Sequence, residues 1–245
     1  MAARSPPRLP ALLAALAALA ILGLGVGGAF GLLRLERARA GERLTENAQA
    51  AALRAADGVR DLLVALEAQV QNGTANPRLV AALDARVDDV TLRDLLLTEP
   101  WWEPFRRSVD GYGLYSDETA TLFAARLPAG FAPASLVHDA RLVHRASSGF
   151  VVTSGQTWAV AAAPVALTSR SDWPALVATR GLESGALTAI ADRAGASVAV
   201  SDGHQLLVAR GGADDLAAMK QAIDLPAPGA ALFAGVAVAA QPLTG

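Results

Sequence analysis

The chain begins with a long apolar run that leads into a long amphipathic pattern. Residues 11–33 contain no charged side chain, and a helix of that length can cross a hydrocarbon core of about 30 Å. Residues 34–71 contain no proline, and their apolar positions recur every three or four residues, as on one helical face. These positions are Leu44, Ala48, Ala51, Ala55, Val59, Leu62, Leu66 and Val70. The pattern predicts a transmembrane helix followed by a helical rod without a break.

Arginines stand on both sides of the apolar run, so the positive-inside rule does not orient it. The short tail, residues 1–10, favours a cytoplasmic N-terminus, with the bulk of the chain outside a bacterial inner membrane. The alternative is a cleaved signal peptide with Ala38-Arg39-Ala40 as its site. The apolar run is longer than the roughly 7–15 residues of a signal peptide's core, which favours the anchor.

The stripe on the rod is narrow and rich in alanine, so it suits a close partner helix. We therefore expect a homodimer through residues 44–70. The alternative is that the stripe packs on its own domain.

A second helix is predicted over residues 77–97, between Asn76-Pro77 and Glu99-Pro100. Its three aspartates are interpreted as a solvated face: Asp84, Asp88 and Asp89. The aromatic residues that follow are interpreted as a cap on the core rather than as a ligand box: Trp101, Trp102 and Phe105. Residues 34–110 are thus expected to be helical.

From residue 111 the pattern changes to short apolar runs separated by turns. The runs form a hairpin over residues 111–126 around Asp117-Glu118, a second hairpin with strands 149–153 and 157–167, and a strand at 176–180. Residues 131–145 are a helix or loop. The second hairpin is expected at the centre of a five-stranded sheet, covered by the long helix on one face and by short elements on the other.

Part of this pattern returns after a predicted helix at residues 182–194. SDGHQLLVAR (201–210) repeats SDETATLFAAR (116–126), and VAVAAQPLTG resembles AVAAAPVALT, with a helix predicted at 213–224 between the two segments. The sequence therefore predicts an α+β fold with two units, residues 111–181 and 182–245. The second unit lacks a closing strand, so we expect a longer natural chain with a second membrane span and a cytoplasmic output domain.

Composition narrows the function. The 245 residues are 53% hydrophobic, carry a net charge of −2 and include no cysteine, which excludes thiolate chemistry and disulfides and gives no basic face for nucleic acid. No catalytic or nucleotide-binding motif occurs, and His138 and His144, six residues apart, do not share a helical face. We expect no enzyme activity, no metal and no cofactor.

A small-molecule pocket needs an apolar wall and a few placed polar groups. The first unit offers aromatic and arginine side chains for that purpose, and arginine suits a carboxylate through its paired donors. The candidate ligand-binding residues are Tyr112, Tyr115, Arg126, Arg141, Arg145, Thr157 and Trp158. The alternative for each is surface ion pairing or core packing.

The order of anchor, rod and two strand-and-helix units resembles the extracytoplasmic double Cache and CHASE-type sensors of bacterial receptors, whose units are PAS-like. The segments that carry the resemblance are the rod at 34–71, ANPRLVAAL, YGLYSDETATLFAAR, SSGFVVTSGQTWAVAAAPV and SVAVSDGHQLLVAR. The resemblance implies a sensory region that binds a small ligand of unspecified class and relays it through the long helix. The alternative is a membrane-tethered interaction or scaffold module without a ligand.

Overall fold

The computed structural model describes residues 9–201, 204, 206–223, 229–233 and 236–240, with side chains for residues 36–183, 185–201, 204 and 206–223. The chain divides into two compact units, Met1–Asn47 and Ala48–Gly245. Helix α1 is continuous from Leu9 to Thr74. Among the residues whose side chains are described, no helix has an apolar stretch long enough to cross a membrane. The predicted span, residues 11–33, lies outside those side chains.

Within the second unit, the stripe on α1 packs into the chain's own core. Its buried members are Ala51, Ala55, Val59, Leu66 and Val70. Leu62 is half-buried against the same core, whereas Leu44 is 47% exposed. For the buried part of the stripe the structure supports the alternative, packing on the chain's own domain, because those side chains contact the sheet and helices of the same chain. The homodimer through residues 44–70 stays a prediction.

The predicted second helix is two helices, α2 (Pro77–Asp84) and α3 (Asp89–Thr98). The break follows from local geometry: Arg86 has a left-handed φ of +51°, and the Asp88 carboxylate caps α3 by accepting from the Val90 and Thr91 amides at 3.0 Å. The three aspartates therefore do not share a solvated face. Asp88 is a cap, and Asp84 contacts a distant loop described below.

An aromatic cluster joins the helical layer to the sheet. A 3-10 turn (Pro100–Trp102) leads into α4 (Glu103–Ser108), and both Trp102 and Phe105 are buried, with ring centroids 4.4 Å apart. The Tyr112 ring lies 5.7 Å from that of Phe105, and its hydroxyl donates to the Leu96 carbonyl at 2.8 Å. The prediction that these aromatics cap the core is confirmed for Trp102 and Phe105.

A five-stranded antiparallel sheet follows, in the order β2-β1-β5-β4-β3. Its elements are β1 (Gly111–Tyr115), β2 (Thr121–Ala125), α5 (Ala134–Val143), β3 (Ser147–Thr153), β4 (Gln156–Pro164) and β5 (Ala175–Gly181). The expected chain order of strand, strand, helix, strand, strand, strand is confirmed.

The position of the second hairpin differs from the expectation. The central strand is β5, because Ala178 pairs with Tyr112 of β1 on one side and with Ala161 of β4 on the other. Within the described residues β3 is an edge strand, so the hairpin β3–β4 occupies one side of the sheet rather than its centre. The burial agrees: β5 is buried along almost its whole length, whereas β3 is only half-buried.

The two faces of the sheet pack against different helices. Leu114, Ala161 and Leu176 belong to the core that contains α1, α2 and α3. Val160 and Val177 lie on the opposite face, in a smaller core with Val137 and other residues of α5. The alternation of faces along each strand confirms that the long helix covers one side and short elements the other.

The remaining elements repeat the chain order of the first hairpin and helix. They are a π-helical turn (Leu182–Ala186), α6 (Leu187–Ala194), β6 (Val198–Ser201), β7 (Leu206–Arg210), α7 (Ala213–Gln221), β8 (Gly229–Phe233) and β9 (Val236–Ala240). Among the described residues, β6–β7 and β8–β9 are separate antiparallel pairs rather than one sheet.

The hairpins β1–β2 and β6–β7 each have one register irregularity, close to the end of the first strand. The register shifts between Leu114 and Tyr115 in the first hairpin, and between Val200 and Ser201 in the second. Counted from the serine that the two sequences share, Ser116 and Ser201, the positions of the two shifts differ by one residue. The similarity of these two segments thus extends from sequence to backbone with an offset of one residue.

Candidate functional site

A surface cleft of about 270 Å³ lies beside the C-terminal half of α5. Three segments line it: the β1–β2 turn, the end of α5 and the loop between β4 and β5. The lining residues are Glu118, His138, Arg141, Leu142, His144, Ser171 and Trp173. The cleft therefore combines a carboxylate, a guanidinium, two imidazoles and an indole.

The end of α5 places His144 in the cleft. His144 terminates the helix in a left-handed conformation, with φ +51°, and its amide donates to the Ala140 carbonyl. Its ring then lies edge-on to the Trp173 indole, with centroids 4.8 Å apart. Trp173 is itself held by a hydrogen bond from its Nε1 to the Arg170 carbonyl at 3.1 Å.

The β1–β2 turn places Glu118 against α5. Asp117 closes the turn by accepting from the Thr119 amide at 2.8 Å and the Ala120 amide at 2.7 Å. Glu118 Oε1 then lies 2.9 Å from His138 Nδ1. This hydrogen bond lowers the pKa of Glu118, and the nearby positive charge of Arg141 acts in the same direction. Glu118 is thus a carboxylate that already has one imidazole partner.

A carboxylate at the end of α2, in the helical layer, holds the loop between β4 and β5 in place. Asp84, the last residue of α2, accepts from the Thr168 hydroxyl at 2.8 Å, the Ser169 hydroxyl at 2.7 Å and the Ser169 amide at 3.1 Å. These hydrogen bonds, those from Ser169 above all, lower the pKa of Asp84 from 3.8 to about 2. The same loop carries Ser171 and Trp173, so Asp84 connects the helical layer to the cleft wall.

Replacing Asp84 by asparagine should lower the melting temperature at neutral pH and flatten its dependence on pH. Because the folded-state pKa is depressed, the carboxylate stabilises the fold above about pH 4, and this contribution is lost as the pH falls toward 2. Thermal melts of both proteins between pH 2 and 7 measure the difference. The control is Asp94→Asn, an exposed aspartate in the middle of α3. Parallel profiles for wild type and Asp84→Asn would contradict the tether.

The candidate residues from the sequence do not meet in one site. Arg141 lines the cleft. Tyr115 and Trp158 belong to the packed core between the sheet and α5, and Arg145 is exposed beyond the end of α5. The buried Thr157 hydroxyl donates to the Leu207 carbonyl at 3.3 Å.

Tyr112 and Arg126 lie together on the opposite face of the sheet. The Arg126 guanidinium is 5.8 Å from the Tyr112 ring centroid and donates to the Arg106 carbonyl at 2.6 Å. Burial raises the pKa of the Tyr112 phenol, and the charges of Arg106 and Arg126 offset part of the rise. Both side chains are therefore engaged in the junction between α4 and the sheet.

Sequence reasoning missed most of the cleft. The sequence places Glu118 in a turn, and the six-residue separation of His138 and His144 argues against a shared helical face, so neither pattern predicts a cleft. No local sequence pattern links these residues to Trp173, because the cleft is built from a turn, a helix end and a loop that are far apart in sequence. The only local signal was the Asp-Glu pair at the tip of a predicted hairpin.

No family model matches the chain, and no curated protein matches it. Its fold is similar to the periplasmic domain of Vibrio cholerae LuxQ, with a TM-score of 0.50 and 13% identity over 77% of this chain and 95% of that chain. The ligand-binding domain of the Pseudomonas aeruginosa amino acid chemoreceptor PctC, solved with GABA, is 15% identical over 84% of this chain and 94% of that chain, with a TM-score of 0.47. The likeness to the LuxQ periplasmic domain shows the fold alone, and at that level it agrees with the fold that the sequence resemblance implies.

Proposed function

We propose that the chain is the sensory region of a bacterial transmembrane receptor, which binds a small extracytoplasmic ligand in the cleft beside α5. The observation that carries the proposal is the placement of Arg141, Glu118 and two histidines around one apolar-walled cleft on a PAS-like sheet. The guanidinium of Arg141 suits a carboxylate, and the Glu118 carboxylate suits an ammonium group. The ligand class that fits is a small organic acid or amino acid.

The route from cleft to membrane runs through contacts within the second unit. The cleft loop is tied to α2 by Asp84, and α1 packs on the sheet through Leu66 and Val70. Farther along α1, Arg54 Nη2 donates to the Ala194 carbonyl at the end of α6, at 2.9 Å. A ligand that favours one arrangement of the loop would bias the packing of α1 on the sheet and shift or rotate the helix. An output domain across the membrane would receive this movement.

The repeated hairpin supports a second, PAS-like unit after residue 182. The register shift close to the end of the first strand in both β1–β2 and β6–β7, together with the helix that follows each, is the observation behind it. In this proposal residues 111–181 form the first unit and carry the cleft, and residues 182–245 form the second.

Small organic acids and amino acids should raise the melting temperature of the full chain in detergent, and Arg141→Ala should abolish the shift. The matched control is Arg145→Ala, which removes an exposed arginine outside the cleft and should leave the shift unchanged. A saturating ligand at 100 times its Kd stabilises by about 2.7 kcal/mol, which a thermal melt resolves. A folded chain that no compound stabilises would contradict the proposal.

One observation favours the scaffold alternative. The interface between the sheet and α5 is filled by apolar side chains, with Val137, Val160 and Val177 fully buried. A protein-binding module needs no more than this packed core. Equal melting temperatures with and without every tested compound, together with co-purification of a defined partner protein, would favour that function.

A further inference from the structure

A second cleft, of about 260 Å³, lies at the C-terminal end of α1, beside the aromatic cluster. The last turns of α1, the start of α2 and the segment through α4 form its walls. The lining residues are Gln69, Asn72, Gly73, Asn76, Trp101, Trp102, Pro104, Phe105 and Ser108. The β1–β2 turn, the end of α5 and the β4–β5 loop, which form the first cleft, contribute none of them.

The second cleft contains polar atoms that the described part of the chain leaves unpaired. Gln69 Oε1 is buried and has no hydrogen-bond partner there. Trp102 Nε1 is buried too and makes no hydrogen bond of normal geometry, although it lies near the Tyr112 hydroxyl. A buried polar atom without a partner is unfavourable, so a bound molecule that pairs with Gln69 would offset part of that cost.

The charge of the lining decides the class of ligand. The first cleft has a carboxylate, a guanidinium and two imidazoles, whereas none of the residues lining the second carries an ionisable side chain. An ionic ligand would lose its hydration there without a countercharge, which is strongly unfavourable. The second cleft therefore suits an uncharged molecule.

The polar groups that remain are amides and one hydroxyl. Amide side chains both donate and accept, as the hydroxyl groups of a polyol do, and Gln69 and Asn72 bring two of them to the cleft. The Asn76 side-chain oxygen lies in the same lining but caps α2 by accepting from the Arg78 amide at 3.0 Å, so only its NH₂ group remains for a ligand. The half-buried indole of Trp101 supplies a flat apolar wall for the carbon-bound hydrogens of such a ligand. We propose that this cleft is a second binding site, for a small uncharged polyhydroxyl compound of the monosaccharide type.

Titration of the full chain in detergent with glucose, galactose and ribose, followed by tryptophan fluorescence, tests the site. At least one sugar should give a saturable change, because Trp101 and Trp102 both line the cleft. Gln69→Ala and Asn72→Ala should each weaken binding by about tenfold, equivalent to about 1.4 kcal/mol for a lost hydrogen bond. Asn72 is exposed, so its replacement should leave the fold intact.

The matched control is Gln71→Ala, an exposed glutamine on the same helix that does not line the cleft. It should bind the sugar as the wild type does, and circular dichroism should show that all three variants are folded. Absence of a saturable change with every sugar would overturn the proposal, as would equal affinities for Gln69→Ala, Asn72→Ala and wild type. Binding of glutamate or glycine that Gln69→Ala weakens would overturn the ligand class. Since Arg141 is outside this cleft, failure here leaves the site beside α5 unaffected.

Discussion

Replacing Trp102 by alanine should lower the free energy of unfolding by about 3–5 kcal/mol, the range for a large aromatic side chain removed from a core. Trp102 is only 1% exposed. Its ring lies 4.4 Å from Phe105 and 6.3 Å from Tyr112, centroid to centroid, so it joins α4 to the first strand of the sheet. Its removal leaves a cavity between these elements that neighbouring side chains fill only in part. Urea denaturation followed by circular dichroism measures the loss.

Trp101 supplies the matched control for this variant. It is the adjacent residue, of the same type, but it is half-buried and contacts the cluster through one edge, 5.5 Å from Trp102. Trp101→Ala should therefore cost clearly less than Trp102→Ala. Similar losses for the two variants would show that the cluster does not depend on the buried indole, contrary to the packing described above.

The helical and strand elements could be predicted because their patterns are local. Each element is indicated by a local spacing or by turn residues. Examples are the stripe that ends at Val70, the hairpin around Asp117-Glu118 and the apolar run 176–180. The break at Arg86 could not be predicted in the same way. The three-to-four spacing of apolar residues continues across it through Leu83, Val87 and Val90. The break depends on the cap at Asp88 and on the contact of Asp84 with a loop far along the chain.

The order of strands was less accessible than their existence. A buried run such as 176–180 has the same appearance whether it lies second or third in a sheet, because both positions bury two faces. What decides the order is the pairing of β5 with β1, strands that are far apart in sequence. The hairpin β3–β4 forms as expected, but its sequence contains no information on which of its strands faces the rest of the sheet.

The residues that line the clefts were likewise hard to predict, because segments far apart in sequence bring them together. Arg141 was identified because arginine is a general partner for carboxylates, not because any pattern placed it beside Glu118 and Trp173. Tyr112 was a candidate on residue type alone, yet its hydroxyl is used by the Leu96 carbonyl. The second cleft could not be found from sequence at all, since its amides belong to helix positions that look solvated and its aromatics to a core.

The stripe on α1 illustrates a pattern with two valid outcomes. Small and branched apolar residues at helical spacing suit a partner helix or the chain's own sheet equally well. In the structure, residues 51–70 pack on the chain's own sheet and helices, and Val59 and Val70 are almost wholly buried there. Substitutions in this stripe should thus act on folding rather than on association.

Leu66→Ala should lower the free energy of unfolding by about 2–5 kcal/mol, because Leu66 loses core contacts that solvent does not replace. Leu66 is 1% exposed, whereas Val64, on the same helix, is 63% exposed. The control Val64→Ala should therefore change stability by no more than about 0.5 kcal/mol. Leu66→Glu extends the test, since a buried carboxylate without a partner should unfold the second unit rather than release folded monomers. Sedimentation and circular dichroism of the full chain in detergent distinguish these results, and a folded monomeric Leu66→Glu variant derived from a wild-type dimer would return the stripe to an intermolecular interface.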